Sequence, residues 1–220
     1  MLPYHFLFLF LAAAVLNLVS VGRYKILFGV TKPMLLLFLM LYCLFYGKTP
    51  DPLLLGAFFA CFLGDVLLML KGDLWFAVGG VSFFIGHLLL IFLFARQVEP
   101  GRLPFAVLIP AAVVYAGITG AVMIRTFKSS PPLMRVPTLL YLLANAAMNL
   151  FALTRALQSP GVWQAVSFAG AALFFLSDCS LFLRNWGRGK KRFFKTDFFV
   201  MLTYISGVLL IALGLLPVGG

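Results

Sequence analysis

One ten-residue phrase occurs twice in the chain, and each copy places an aspartate inside an apolar stretch. Residues 62–71 read FLGDVLLMLK, and residues 175–184 read FLSDCSLFLR. Asp65 and Asp178 are two of only six acidic residues in the sequence. Desolvation and like-charge repulsion disfavour ionising two buried carboxyl groups together, so one can hold a proton while the other is charged. General acid/base chemistry needs a pair of this kind.

The two aspartates also have a structural interpretation. A carboxylate in a membrane span is costly and marks function by default, and its partner should be sought nearby. Each carboxyl group could instead be bound by a neighbouring helix, or could form an ion pair with a Lys or Arg that extends along the span. The sequence leaves these alternatives open.

Composition predicts the class of the protein. Hydrophobic residues make up 63% of the 220 residues, charged residues 10%, and the mean hydropathy is +1.09. Soluble domains carry roughly 25% charged residues. We therefore expect residues 1–220 to form a single integral membrane domain that is all-α, without a soluble domain.

Apolar runs recur along the whole chain, and about 20 apolar residues suffice for one helical crossing. We predict a polytopic bundle of eight transmembrane helices, at about 4–21, 33–46, 52–70, 74–95, 103–123, 136–156, 162–183 and 198–217. Pro33 is expected in the first turn of its helix, and Pro110 and Pro137 are expected to kink or start theirs. The first span is not expected to be a cleavable signal peptide, because no Lys or Arg precedes it.

The distribution of basic residues predicts the direction of the spans. Most Lys and Arg residues fall in the first, third, fifth and seventh loops. By the positive-inside rule these loops are cytoplasmic, and both termini face outward. The net charge of +11 then reflects topology and contact with membrane lipids, so no nucleic acid partner is expected. The cluster Lys190–Arg192 is suited to anionic headgroups.

The repeated phrase also predicts an internal symmetry. Both copies lie in spans that run from outside to inside, and four spans separate them, which favours a 4+4 parallel repeat. Lys71 and Arg184 each follow their aspartate by six positions. At 1.5 Å per residue, both carboxyl groups would lie about 9 Å along the helix from the basic residue.

Further polar residues lie within the predicted spans and extend the candidate site. His87 is read either as a helix–helix hydrogen bonder or as a group that orients substrate or relays protons. Tyr141, Asn145 and Asn149 follow one another at i, i+4 and i+8 and therefore share one helix face. They are either interhelical polar contacts or a polar wall beside the aspartates. Lys32, at the predicted mouth of span two, is either a topology charge or a ligand for a lipid phosphate.

No established nucleophile or nucleotide motif is present in the sequence. The patterns GxSxG, HExxH, GxGxxG and the P-loop are all missing. Two histidines, one of them His5 near the terminus, cannot form a three-His zinc site. We predict no metal and no cofactor, although a site of Asp65, His87 and Asp178 with an open position stays conceivable.

Four segments together resemble the YhhN-type lysoplasmalogenase family: TKPMLLL at 31–37, FLGDVLLML at 62–70, SFFIGHLLL at 82–90 and GAALFFLSDCSL at 170–181. Their order and spacing fit, and the resemblance covers nearly the whole chain. It implies a hydrolase that cleaves the vinyl ether bond of lysoplasmalogens and releases a fatty aldehyde and glycerophosphocholine or glycerophosphoethanolamine. It also implies that Asp65 and Asp178 are the catalytic pair and that Lys32, Pro33 and His87 occupy the family's Lys-Pro and His positions.

The implied reaction suits two carboxyl groups. Protonation of the enol carbon of a vinyl ether gives an oxocarbenium ion, which water captures, and the hemiacetal collapses to aldehyde and alcohol. One aspartate would donate the proton. The other would stabilise the cation and deprotonate water, a division like that in glycoside hydrolysis. The sequence does not say which aspartate takes which role.

Two other functions remain open at this point. Buried carboxyl groups and an internal repeat also suit a small proton-coupled transporter. A metal-dependent lipid amidase or esterase is the third reading. For any of the three, we expect an integral multi-pass protein with a lysophospholipid or other small substrate and membrane lipids as partners. The short form fits a bacterial inner membrane.

Overall fold

The computed structural model describes residues 2–46, 51–187 and 194–216. Eight α-helices occupy these residues: α1 Leu2–Ser20, α2 Lys25–Tyr46, α3 Pro52–Leu67, α4 Asp73–Ala95, α5 Phe105–Thr126, α6 Pro132–Gln158, α7 Val162–Trp186 and α8 Phe194–Leu215. A short 3-10 turn at Pro100–Arg102 precedes α5, and no strand occurs in the described ranges. The all-helical prediction is confirmed.

Seven of the described helices are long and apolar enough to cross a membrane. The exception is α3, an apolar helix of 16 residues. At 1.5 Å per residue it extends about 24 Å, somewhat less than a hydrocarbon core of roughly 30 Å. The protein is therefore an integral multi-pass membrane protein. The direction of the spans and the 4+4 repeat stay predictions.

Several helix ends differ from the predicted ones. Helix α2 begins at Lys25, so Pro33 lies inside the helix and not in its first turn. Pro110 and Pro137 are likewise enclosed by α5 and α6. Membrane helices tolerate internal prolines, because neighbouring groups satisfy the backbone carbonyls that the missing N–H would have bonded.

The end of α3 corrects the predicted equivalence of the two phrases. Helix α3 ends at Leu67, and Gly72 adopts a φ of 118°, a backbone conformation that favours glycine. Lys71 therefore lies beyond the helix, and the estimate of 9 Å does not apply to Asp65. Arg184 remains within α7, where it forms an ion pair with Asp197 of α8. The predicted basic cluster at residues 190–192 lies outside the described part of the chain.

The chain divides into two compact units, and the first contains the described residues up to Leu93 together with Leu215 and Leu216. Within this unit α1 packs on α2, and α2 packs on α3. Asn17 of α1 donates to Thr31 Oγ1 of α2 at 2.9 Å. Helices α3 and α4 meet at small residues, since a Cβ on Gly86 would lie 2.8 Å from Cys61 Sγ. Small residues at membrane-helix interfaces allow such close backbone approach.

The second unit, Phe94–Gly214, contains α5 to α7 and most of α8. Helix α6 contacts both α5 and α7, and α5 also contacts α7. Arg155 of α6 is buried, and it donates to Gln97 Oε1 at 2.7 Å, to Ser167 Oγ at 2.8 Å and to Gly214 O at 3.2 Å. This guanidinium lies at the carbonyl end of α8, where a positive charge is favourable. It ties three helices of the unit together.

A close contact between α7 and α8 in the second unit gives a stability prediction. A Cβ on Gly170 of α7 would lie 2.6 Å from Ile211 N and 2.8 Å from Gly207 O of α8. These are backbone atoms that no rotamer change can move. We expect Gly170→Ala to destabilise the purified protein by about 1–3 kcal/mol, the range of overpacking. A lowered midpoint of thermal unfolding in detergent would report this loss.

Gly120→Ala provides the matched control. Gly120 lies on α5, and a Cβ there meets no atom within 4 Å. Alanine has the higher helix propensity, so this variant should unfold at the wild-type temperature or slightly above it. Equal midpoints for Gly170→Ala and Gly120→Ala would contradict the close packing of α7 on α8.

Candidate active site

Asp65 lies on α3 and forms an ion pair with Lys32 of the preceding helix. The distance from Lys32 Nζ to Asp65 Oδ1 is 3.0 Å, and the two side chains are 13% and 2% exposed. In apolar surroundings the ammonium group stabilises negative charge on this carboxylate. The structural alternative of an ion pair therefore describes Asp65, and its partner is the Lys that precedes Pro33.

The position of Lys32 differs from the prediction. It was expected at the mouth of span two, yet it lies inside α2, about 10 Å along the axis from Lys25 at 1.5 Å per residue. The cause is the early start of α2, which includes Pro33. A phosphate contact by Lys32 is not tested, but its ammonium group already binds a carboxylate.

His87 is fully buried on α4. Its Nδ1 lies 2.8 Å from the carbonyl oxygen of Phe83, one turn earlier. A carbonyl only accepts, so Nδ1 carries a proton, and Nε2 is an acceptor when the ring is neutral. Helices α3 and α4 run antiparallel, and close contacts pair Gly64 with Phe83 and Cys61 with Gly86. This register places His87 about 7 Å along the axis from the level of Asp65.

Asp178 lies on α7 and receives two hydrogen bonds from α6. Tyr141 Oη and Asn145 Nδ2 each donate to Asp178 Oδ2 at 2.7 Å, and all three residues are buried. The polar face predicted on span six thus contacts the aspartate. Both donors stabilise negative charge on Oδ2. A proton on this carboxyl group would consequently reside on Oδ1.

A further layer of hydrogen bonds holds these donors in place. Asn149 Nδ2 donates to Asn145 O at 2.9 Å and to Asn145 Oδ1 at 3.2 Å. Tyr115 of α5 donates to Asn149 Oδ1 at 3.0 Å, and its ring packs edge-on against Phe175. Asn149 therefore acts on Asp178 through Asn145. Sequence reasoning missed Tyr115, whose only signal was a single hydroxyl in an apolar span.

The two aspartates have equivalent donors in the sequence. Lys32 precedes Asp65 by 33 residues, and Asn145 precedes Asp178 by the same 33. In each unit the donor comes from the helix that precedes the aspartate. The repeated phrase matches two sequence segments, whereas this equal spacing also matches the Lys32–Asp65 contact with the Asn145–Asp178 contact. It therefore adds support to the predicted repeat.

His, Cys, Asp and Glu side chains are the candidate metal ligands of the described residues. No set of three or more His, Cys, Asp or Glu side chains there is placed to hold a metal ion. Cys43, Cys61 and Cys179 are buried, and none of them forms a disulfide within the described residues. They pack as small core residues.

The geometry gives the two carboxyl groups different surroundings. Asp65 contacts a cation, and Asp178 contacts a phenol and an amide. A cation stabilises an adjacent carboxylate more strongly than neutral donors do. Of the two groups, Asp178 is the better suited to hold a proton, and Asp65 is the better suited to remain charged.

Comparison with known proteins identifies the family. The model of the YhhN family matches residues 26–215, which is most of the chain. The chain belongs to the YhhN family. No curated protein and no solved structure matches it.

The Lys32–Asp65 pair gives a second prediction. Removing one partner of a buried ion pair strands the other charge, so we expect Lys32→Met to destabilise the protein by about 3–5 kcal/mol. The loss should be smaller when Asp65→Asn is already present, because no carboxylate is then left uncompensated. Thermal unfolding of the two single variants and the double variant measures this coupling. Additive effects would show that the two side chains do not interact.

Proposed function

We propose that this YhhN family protein is a lysoplasmalogenase that hydrolyses the vinyl ether bond of alkenyl glycerophosphocholine or glycerophosphoethanolamine. Family membership supports the reaction class. The observation that carries the mechanism is the presence of two buried aspartates, one bound by a cation and the other by neutral donors. We further propose that the membrane is a bacterial inner membrane, where the substrate is a lysophospholipid.

The first step is proton transfer from Asp178 to carbon. Asp178 Oδ1 gives its proton to the enol carbon, and the two π electrons of the C=C bond form the new C–H bond. A lone pair of the ether oxygen then forms a C=O bond, which leaves an oxocarbenium ion. Asp178 becomes a carboxylate, and Tyr141 and Asn145 stabilise its new charge through the two bonds to Oδ2.

Asp65 acts as the ionised partner. Lys32 keeps this group charged, because protonating it would leave the ammonium group buried without a counter-charge. The Asp65 carboxylate stabilises the oxocarbenium ion electrostatically, as the ionised carboxylate does in glycoside hydrolysis. Lys32 thus contributes through Asp65, which we favour over its direct contact with the substrate phosphate.

The remaining steps return the protein to its starting state. Water forms a C–O bond to the cationic carbon, and its proton passes to the Asp178 carboxylate. The hemiacetal C–O bond then breaks with transfer of its hydroxyl proton to the departing glycerol oxygen. The products are a fatty aldehyde and the glycerophospho-headgroup. His87, an acceptor at Nε2 in its neutral form, is proposed to bind a substrate hydroxyl.

The third prediction concerns the two carboxyl groups. Asp65→Asn and Asp178→Asn should each lower aldehyde release from lysoplasmalogen by at least about a thousandfold, because neither amide can carry the proton or the charge. Asp73→Asn is the matched control, since Asp73 is exposed in the first turn of α4. Full activity of either site variant, with wild-type thermal stability, would refute the two-carboxyl mechanism.

The fourth prediction separates this function from its rivals. Only a vinyl ether yields an oxocarbenium ion on carbon protonation, so lysoplasmalogen should be cleaved while its saturated ether and ester analogues stay intact. Chelator should leave the rate unchanged. A buried Lys–Asp pair also suits a proton-coupled transporter. No hydrolysis of any lipid, together with pH-dependent solute flux in proteoliposomes, would favour that class.

A further inference from the structure

Thr119 lies on α5 and has a buried hydroxyl group that the proposed mechanism does not use. The residue is 2% exposed, and Oγ1 has no hydrogen-bond partner among the residues that the structure describes. A buried polar atom without a partner costs free energy and calls for an explanation such as a bound water or ligand.

Other buried threonines in the helices behave differently. Four of them donate the hydroxyl proton to the backbone carbonyl four residues earlier, at 2.7–2.9 Å: Thr31 to Leu27, Thr126 to Val122, Thr154 to Leu150 and Thr203 to Phe199. This bond is the usual way for a helical Thr to satisfy its hydroxyl. Thr119 has the same option with Tyr115 O and does not form the bond.

A contact between α5 and α6 locates Thr119 along the unit. These helices are antiparallel neighbours joined by a short turn, and the Tyr115–Asn149 hydrogen bond pairs their residues. One turn further along α5 corresponds to one turn back along α6. Thr119 therefore lies opposite Asn145, the residue that donates to Asp178.

A contact between α5 and α7 independently places Thr119 at the same height along the helix axes. The rings of Tyr115 and Phe175 lie 5.0 Å apart between centroids, and these two helices run parallel. One turn along both helices pairs Thr119 with Cys179, the neighbour of Asp178. Since Thr119 follows Tyr115 by four residues, both share the face of α5 that meets α6 and α7.

We propose that Thr119 is a positioning residue whose hydroxyl group holds the hydrolytic water beside Asp178. This inference rests on the proposed function and adds the group that presents water to the cation. A buried water needs two to four polar partners, and the Thr119 hydroxyl and the Asp178 carboxylate are two at one level. The water oxygen bonds to the cationic carbon, and one water proton passes to Asp178.

Loss of the water position has a distinctive chemical consequence. When capture by water slows, the oxocarbenium ion lives longer, and the carbon that was protonated can lose either of its two hydrogens to the Asp178 carboxylate, which restores the vinyl ether. In D₂O the added hydron is deuterium, so each reversal that removes the original hydrogen, once the cation has rotated about its C–C bond, leaves deuterium on the vinyl carbon of recovered substrate. A change that only loosens the fold lowers the rate without this exchange.

The experiment compares Thr119→Val, which keeps the shape and removes the hydroxyl, with the wild type in D₂O. Thr119→Val should lower kcat for aldehyde release by about tenfold with little change in KM. Lysoplasmalogen recovered from this reaction should contain vinylic deuterium, and that recovered from the wild type should contain none. Thr119→Ser, which restores a hydroxyl, should regain most of the rate.

Thr126→Val is the matched control, because Thr126 is a buried threonine of the same helix whose hydroxyl bonds its own backbone. It should leave both kcat and deuterium content as in the wild type. A wild-type rate for Thr119→Val, or a lower rate without deuterium in the substrate, overturns the role of Thr119. A wild-type protein that releases no aldehyde overturns the proposed function instead, so the two failures are distinct.

Discussion

The structure depends on compensating two buried carboxyl groups in helices that are mostly apolar. An uncompensated charge in an apolar span costs several kcal/mol, so each aspartate requires a partner that another helix supplies. Lys32 of α2 meets Asp65 of α3, and Asn145 and Tyr141 of α6 meet Asp178 of α7. These contacts fix which helix faces meet within each unit, a choice that apolar packing alone leaves degenerate. The same contacts give the two carboxyl groups different electrostatic surroundings.

The two compensations differ in kind, and that difference matters for chemistry. A carboxylate next to an ammonium group resists protonation, which suits a group that must stabilise a cation. A carboxyl group whose Oδ2 accepts from a phenol and an amide can hold a proton on Oδ1 and still bear charge once it has given that proton away. Two similar groups take different acid and base roles when their environments make their pKa values differ. Here one helix-to-helix contact in each unit creates such a difference.

The sequence predicted the features that depend on composition and periodicity. The i, i+4, i+8 spacing of Tyr141, Asn145 and Asn149 identified the face that meets Asp178, because helical periodicity alone defines a face. The partner of Asp65 was not identified, since no local pattern tells which helix a Lys will contact. A proline favours a helix start and so predicts Lys32 at the helix mouth, whereas membrane helices tolerate internal proline and α2 encloses Pro33.

Single polar residues in apolar spans carried too little signal for sequence reasoning. The importance of Tyr115 and Thr119 depends on where they lie along α5 relative to the residues of α6 and α7. Only the tertiary contacts of Tyr115 reveal this alignment. The end of α3 was likewise missed, because the repeated phrase suggested one conformation for both copies. The turn at Gly72 ends the first copy's helix early, while the second copy stays helical through Arg184.

The equal spacing of the two donor–aspartate contacts suggests why the copies diverged. If the chain arose by duplication, Lys32 and Asn145 descend from one residue 33 positions before the aspartate. A Lys in both copies would hold both carboxyl groups in ion pairs, and no proton donor would remain. An Asn in both copies would leave neither group permanently charged. One Lys and one Asn at this position therefore give the two carboxyl groups different environments, which favours one charged group and one group that can hold a proton.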